Sequence, residues 1–203
     1  MELIFVRHAL PLRIENAQGA ADPQLDPVGH GQADLMARYL AEEQIDAIWA
    51  SPMRRAQQTA APLAQKLGLN VETDDRLAEY DRHESTYIPV EELKATNDPR
   101  WQAIVKGEWQ RDIDPAVFQA IVVAGVDEIV KTHSRKRVAV VCHGGVINTY
   151  IAHILGIGSP VGFFYPEYTS IHRVMAASTG ERSVRSLNET SHLRGSELRR
   201  SIA

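Results

Sequence analysis

Two histidines stand where short apolar runs break off. Leu3 to Val6 ends in Arg7 and His8, and Val138 to Cys142 ends in His143, Gly144 and Gly145. Continuous apolar runs of this length suit strands buried on both faces of a parallel sheet. Ligands of such sheets bind in the crevice outside the carboxyl ends of the strands. Two strands tipped in this way could aim both imidazoles into one pocket. Arg7 adds a planar guanidinium fork, the side chain best matched to phosphate or carboxylate. A third stretch, Ser51-Pro-Met-Arg-Arg-Ala-Gln-Gln-Thr59, sets Arg54 and Arg55 in the first turn of a helix that follows a strand. A helix N-terminus already favours anions through its free N–H groups. Arginines placed there need either solvent or an anionic partner.

The elements that must hold these residues can be read from the pattern around them. After the first strand, Pro11 to Pro27 is a polar connection too irregular for helix. The spacing of Ala33, Leu35, Met36, Tyr39 and Leu40 then predicts a helix with one apolar face. Ile45–Ala50 reads as a second strand. Ser51 and Pro52 follow as N-cap and first helical residue of a helix that runs to about Leu67 and stops at Gly68. Asn70–Thr73 is a candidate third strand. Tyr80 to Asp114, which holds Trp101 and Trp109, reads as short helices and loops laid over the sheet. Pro115–Lys131 has helical spacing, with Gly125 weakening its middle. Strand Arg137–Cys142 precedes a helix from about Val146 to Leu155 that Gly156 closes. Ser170–Ala177 and Arg182–Leu187 flank the turn Ser178-Thr-Gly180 as a hairpin. His192 to Ala203 reads as a loose polar tail. Strands alternating with helices predict a three-layer α/β/α fold with a mainly parallel central sheet. Residues 1–203 read as one domain, with a cap or insert at about 80–114.

Composition narrows the class of function. The chain is 44% hydrophobic and 24% charged, the balance of an ordinary soluble globular protein. Its 22 Lys and Arg against 26 acids give a net charge of −4, which argues against nucleic acid or an anionic membrane surface as partner. A lone cysteine, Cys142, rules out an intrachain disulfide and argues against a Cys-based metal cluster. No apolar run approaches the roughly 20 residues of a membrane span, and the chain enters a strand without a leader-like segment. The expectation is a cytoplasmic protein.

At these residues the sequence resembles the histidine phosphatase superfamily, which includes cofactor-dependent phosphoglycerate mutases. Arg7-His8-Ala9 is similar to the family's Arg-His-Gly opening. Leu25-Asp-Pro-Val-Gly29-His-Gly-Gln32-Ala33 is similar to its Leu-Thr-x-x-Gly-x-x-Gln-Ala segment, and Ser51 to Thr59 to Ser-x-x-x-Arg-Ala-x-Gln-Thr. Leu77-Ala-Glu79 matches the segment with the proton donor, and His143-Gly144-Gly145 the second-histidine motif. The order of the five segments is also the family's. The resemblance implies a phosphoglycerate mutase-like fold and a metal-independent phosphomonoesterase acting on a small phosphorylated substrate. It implies His8 as the nucleophile that becomes a phosphohistidine, and Glu79 as donor and then acceptor of a proton. Arg7, Arg55, a protonated His143 and Gly144 would hold the phosphate oxygens. No metal or other cofactor is implied, because cationic side chains neutralise the charge.

Some positions depart from the family pattern. Ala9 replaces the glycine after the histidine, Leu10-Pro11 replaces Glu-Thr, and Ile14 stands where the family often has a phosphate-binding Asn. No glycine closely follows Glu79, which leaves Asp81 and Glu84 as rival donors. Two other functions stay open at this point. A cofactor-dependent phosphoglycerate mutase would need a second anion site. The stretch Tyr80–Arg111, with five Lys and Arg against six acids, offers no obvious one. A non-catalytic module that binds a phosphorylated ligand fits the departures, but has no use for two histidines. Cys142 reads as a buried small side chain and Arg54 as a solvated arginine. His30, His83, His133, His153, His172 and His192 read as structural or solvated. Trp101 and Trp109 either line a pocket or anchor the cap. Oligomeric state and natural substrate are not encoded in any of these patterns.

Overall fold

The apolar run at the start of the chain becomes β1 (Glu2–Arg7), and every residue in it is buried. Successive side chains of a strand point to opposite faces. Leu3 and Phe5 therefore enter one core while Ile4 and Val6 enter another. The computed structural model describes residues 1–106, 113–158 and 163–199. Along them run α1 (Pro27–Ala41), β2 (Ala47–Ala50), α2 (Arg54–Leu67) and β3 (Val71–Thr73). Next come α3 (Val90–Ala95), α4 (Pro99–Lys106), α5 (Pro115–Thr132), β4 (Arg137–Cys142) and α6 (Gly144–Leu155), then β5 (Ile171–Ala176) and β6 (Arg182–Glu189).

Among the described residues the strands form one sheet in the order β3-β2-β4-β1-β5-β6. The first four are parallel, β5 runs antiparallel to β1, and β6 antiparallel to β5. On one face Met36, Ala37 and Leu40 of α1 and Ala56, Ala60 and Leu63 of α2 pack against Ile4, Val6, Ile48 and Val141. On the other, Phe118, Val122 and Ile129 of α5 and Val146, Ile147 and Ile151 of α6 pack against Leu3, Phe5, Val138 and Val140. This is the expected three-layer α/β/α arrangement with a mainly parallel sheet.

Local signals explain most boundaries. Asp26 caps α1 by accepting from Gly29 N at 2.6 Å, with Pro27 at the first position. Gly68 and Gly156 end α2 and α6 in the left-handed conformation, with φ of 65° and 66°. Gly125 sits inside α5 because a Cβ there would lie 2.8 Å from Cβ of Arg76, so its lack of a side chain serves close packing.

Three expectations need correction. Helix α2 begins at Arg54 with Met53 as its N-cap and no side-chain cap, not at Ser51 and Pro52. Ser51 is engaged elsewhere: its hydroxyl meets Nε2 of His143 at 2.7 Å. Helix α6 begins at Gly144, two residues before Val146, with His143 as N-cap. The tail up to residue 199 is held rather than loose. Ser191–Leu193 form a 3-10 turn with Leu193 buried, and Gln32 Nε2 donates to the Leu198 carbonyl at 2.9 Å. In the 80–114 stretch, α3 and α4 are short helices as expected, and Trp101 is half-buried in α4. Trp109 lies outside the described residues.

Gly29 links the fold to the residues beyond His8. A Cβ on Gly29 would run into the Leu10 carbonyl oxygen, and Leu10 O accepts from Asp26 N at 3.1 Å. Gly29→Ala must push the Leu10 backbone away, in a helix otherwise well suited to alanine. Equilibrium urea unfolding should show a loss of about 1–3 kcal/mol, whereas Gly158→Ala, where no atom lies within 4 Å and φ is not positive, serves as the comparison.

Candidate active site

The pairing of β1 with β4 sets Arg7 opposite Cys142. The next residues, His8 and His143, therefore leave the sheet side by side, and His8 N donates to Cys142 O at 2.9 Å. Their ring centroids stand 5.1 Å apart, and they are 3% and 0% exposed. Strand β2 lies beside β4 and hands the chain to α2, whose second residue is Arg55. Adjacent strand ends thus deliver Arg7, His8, His143 and Arg55 to one place. Arg54, one residue earlier, is exposed, and its guanidinium donates to Gln24 Oε1 at 3.2 Å.

Residues of the sequence motifs that carry no charge lock the loops in place. Thr59 Oγ1 donates to the Arg55 carbonyl at 2.7 Å and accepts from Ala9 N at 2.9 Å, tying α2 to the first histidine loop. Gln32 Oε1 accepts from Leu10 N at 2.9 Å. Gln57 Nε2 donates to Ser51 O at 2.7 Å.

Hydrogen bonding fixes the tautomer of His8. Nδ1 lies 2.8 Å from the Ala9 carbonyl, which can only accept, so Nδ1 carries the proton and Nε2 keeps a free lone pair. Burial, followed by the charges of Arg55 and Arg7, holds His8 well below the usual imidazole range. It is a neutral imidazole. His143 is depressed in the same direction by burial, then by Arg55, His8 and Arg7. The expected protonated His143 is therefore disfavoured before an anion arrives. A neutral ring can still donate one N–H. With Ser51 Oγ bonded to Nε2, the other nitrogen, Nδ1, is buried without a partner among the described residues. Arg7 Nε and Arg55 Nε and Nη1 share that condition. Buried donors are almost always paired, and here four nitrogens of the same small region are not. A phosphate has the charge and the oxygen count to satisfy them.

The carboxylates separate clearly. Glu79 is 7% exposed and accepts from Gly145 N at 2.7 Å and Tyr80 N at 3.1 Å. Those two bonds and Arg55 favour its ionised form, but burial and then the charge of Asp81 outweigh them and raise it to about 7. Asp81 is committed to Arg55 Nη2 at 3.0 Å. Glu84 is exposed. Gly144 opens α6 against Arg7, a Cβ there lying 3.8 Å from Nε. Cys142 is fully buried and its thiol is pushed well up by that burial, so it offers no thiolate. Among the described residues no group of three or more His, Cys, Asp and Glu is placed to hold a metal ion. No helix among them is long and apolar enough to cross a membrane.

Several residues at the site were not singled out by sequence. The Arg7 guanidinium lies 4.0 Å from the Tyr168 ring centroid and 5.0 Å from that of Tyr165, and Arg55 lies 4.7 Å from that of Tyr87. No local signal marks these tyrosines, because they meet the arginines across 158 and more residues in the case of Arg7 and Tyr165. Three of the remaining histidines bond to residues outside the cluster: His133 to Trp49, His172 to Ser170 and His192 to Thr169.

Two buried imidazoles and two buried guanidiniums at the carboxyl edge of a mainly parallel sheet form, in an α/β protein, a site whose charge and donors suit an anion. A family model described as the histidine phosphatase superfamily (branch 1) matches residues 3–190, and the chain belongs to that family. Phosphoserine phosphatase 1 of Hydrogenobacter thermophilus is 30% identical over 199 residues, covering 95% of this chain and 94% of that protein. A probable phosphoglycerate mutase of Yersinia enterocolitica is 26% identical over 163 residues, covering 77% of this chain and 76% of that protein. A phosphoserine phosphatase of Entamoeba histolytica, solved with phosphoserine, shares the fold with a TM-score of 0.73 at 24% identity, over 95% of this chain and 98% of its own. The class expected from the sequence, a phosphomonoesterase of this superfamily, is the class most of these relatives are named for.

Of the two glycines after His143, Gly145 has the less room for a methyl group. A Cβ there would run into Glu79 Oε1 and lie 2.7 Å from the Tyr80 ring. Gly145→Ala should expel the Glu79 carboxylate from its seat while leaving Arg7 and Arg55 in place. Titration calorimetry with inorganic phosphate should show affinity close to wild type, and turnover of an alkyl phosphate should be lost with it.

Proposed function

We propose that this protein is a metal-independent phosphomonoesterase that works through a phosphohistidine on His8. The observation that carries the reading is the buried His8 imidazole with Nε2 unprotonated, set among side-chain nitrogens that have no partner among the described residues. Nε2 attacks phosphorus, and the bond from phosphorus to the ester oxygen breaks. Glu79, which its raised pKa of about 7 keeps partly protonated at neutral pH, gives its proton to the departing oxygen. Arg7, Arg55, His143 and the backbone at Gly144 hold the equatorial oxygens, where charge must be stabilised in phosphoryl transfer. The phosphate dianion draws His143 toward its protonated form, reversing the depression of the free site. Glu79, now ionised, takes a proton from water as that water attacks the phosphohistidine, and inorganic phosphate leaves.

The substrate in this reading is a small phosphorylated molecule, and the reading includes no nucleic-acid or membrane partner. Phosphoserine, named for the Hydrogenobacter and Entamoeba relatives, is the first compound to assay. Residues 1–203 act as one domain, with 80–114 as the cap that selects the leaving group, and a cytoplasmic setting completes the reading. Hydrolysis is favoured over mutase chemistry because two of the described arginines near the cap are already paired: Arg13 with Glu15 and Glu92, and Arg100 with Asp98. A buried carboxyl raised to about 7 has a use in catalysis and none in a binding module.

Quenching the enzyme without acid during turnover of labelled substrate, with EDTA present, should trap label on His8. The adduct should survive alkali and be lost in acid. Label on His143, or dependence on added metal, would overturn the assignment. His8→Ala should abolish turnover, and Cys142→Ser should leave it nearly unchanged.

The raised Glu79 predicts a particular pH dependence. A carboxyl titrating at about 7 is protonated below that pH and loses its proton above it. Single-turnover phosphorylation by an alkyl phosphate, which expels a poor alkoxide, should therefore fall as pH rises through about 7. Glu79→Gln should flatten that limb and slow the step by about 10²–10⁴-fold. An electron-poor aryl phosphate, whose phenolate leaves unaided, should show neither effect. Equal losses on both esters would move the proton donor to another residue.

A further inference from the structure

We propose that Glu91, in the first turn of α3, is a positioning residue for phosphate capture that works through Arg7. Its two carboxylate oxygens accept from two tyrosines, Tyr165 Oη at 2.7 Å on Oε1 and Tyr168 Oη at 2.9 Å on Oε2. Both rings lie against the Arg7 guanidinium, and Tyr165 Oη also accepts from Arg7 Nη1 at 2.8 Å. The direction of this chain of bonds is fixed. A carboxylate only accepts, so the single Tyr165 proton points to Glu91 and the oxygen lone pair faces Arg7. Such chains polarise one another and strengthen each link. Nη1 is further bound by the Pro166 carbonyl at 2.6 Å. With Nη1 held twice, Arg7 must offer Nε and Nη2, its other edge, to an anion.

The inference rests on Arg7 being a phosphate ligand, and adds what sets its orientation. An arginine side chain has many rotamers to lose, so ordering it before the ligand arrives removes a cost from binding. Glu91 belongs to the 80–114 stretch, while Arg7 ends a central strand. The Glu91 carboxylate therefore makes the seating of α3 a condition for the geometry of the phosphate fork.

Charge alone predicts the opposite of positioning. A carboxylate near a phosphate site repels the ligand, so neutralising Glu91 would tighten phosphate binding if its role were purely electrostatic. Glu91→Gln keeps the size, but its amide NH2 cannot accept from a tyrosine hydroxyl. One of the two bonds is lost, and the Tyr165 proton is free to turn toward Arg7.

The test measures inorganic phosphate affinity by titration calorimetry, with kcat and KM, on the full chain. Glu91→Gln and Tyr165→Phe are each made in the wild type and in Arg7→Lys, which keeps the charge without an oriented fork. In the wild-type background both should weaken phosphate binding and raise KM by roughly 3- to 10-fold, the scale of immobilising one side chain, with kcat little changed. In Arg7→Lys the same changes should have almost no effect. Unchanged or tighter phosphate binding in Glu91→Gln would overturn the proposal. An equal loss with and without Arg7 would do the same, because a merely structural role acts in both backgrounds. Should Glu91→Gln fail to fold, Tyr165→Phe alone decides between these outcomes. If Arg7→Lys itself binds phosphate as the wild type does, the phosphatase reading of Arg7 fails first, and this inference with it.

Discussion

Holding two guanidiniums out of water beside two imidazoles is the constraint on which the rest of this structure depends. Removing a charged group from water costs several kcal/mol even after relaxation. Arg55 is 1% exposed and Arg7 7%. The protein offsets part of that cost with Asp81 on Arg55, with the Pro166 carbonyl and Tyr165 on Arg7, and with aromatic rings against both. Among the described residues Nε of each arginine has no partner. Burial, and after it the same positive field, keeps both histidines neutral, so His8 needs no base to free its lone pair. Electrostatic preorganisation of this kind acts in the dry interior, where it is strongest.

Such a cluster can only be built where the backbone is rigid, and the sheet supplies that. Register pairing of Arg7 with Cys142 sets His8 beside His143 without any loop having to bring them together. Ala9, where the family has glycine, is fully buried and its N–H is held by Thr59, so a methyl group is accommodated there. The opposing charge comes from elsewhere. Asp81 follows a short 3-10 turn, and Glu91 sits on a cap helix. Cationic groups are thus fixed by the core, and their counter-charges by the stretch laid over it. Asp81 does two things at once, pairing with Arg55 and raising Glu79.

What the sequence made legible follows from how local each signal is. Apolar runs ending in Arg7-His8 and His143-Gly144 announce strand ends, and Gly68 and Gly156 announce helix ends, because the physics lies within a few residues. Ser51 misled for an instructive reason. Serine before proline is a good helix cap in isolation, but here its hydroxyl is taken by His143, a partner 92 residues away, and α2 starts three residues later. The charge state of His143 was equally hidden, since it depends on burial first and then on a field summed over Arg55, His8 and Arg7. The links from Glu91 to Tyr165 and Tyr168 span 74 and 77 residues and leave no periodicity to read. The choice of Glu79 over Asp81 and Glu84 as the buried carboxyl rests on burial alone, which three neighbouring acids in a row of loop residues do not reveal.

The departure at Ile14 shows how the site compensates for a missing ligand. An Asn at that position would offer a side-chain amide to the phosphate; isoleucine has no such group. Ile14 instead uses its backbone, donating to Tyr87 O at 2.9 Å and accepting from Tyr87 N at 2.7 Å in an isolated antiparallel bridge. That bridge fixes Tyr87, whose ring lies against Arg55. A stacked arginine keeps its planar edge free for bidentate contact. Ile14 thus helps, through its main chain, to hold the ring that lies against Arg55. The first loop and Tyr87 are joined by main-chain bonds that are independent of the side chain at position 14, and Pro11 is bridged in the same way to Leu25. Leading out of the site, Leu10, Pro11 and Ile14 are therefore scaffold residues.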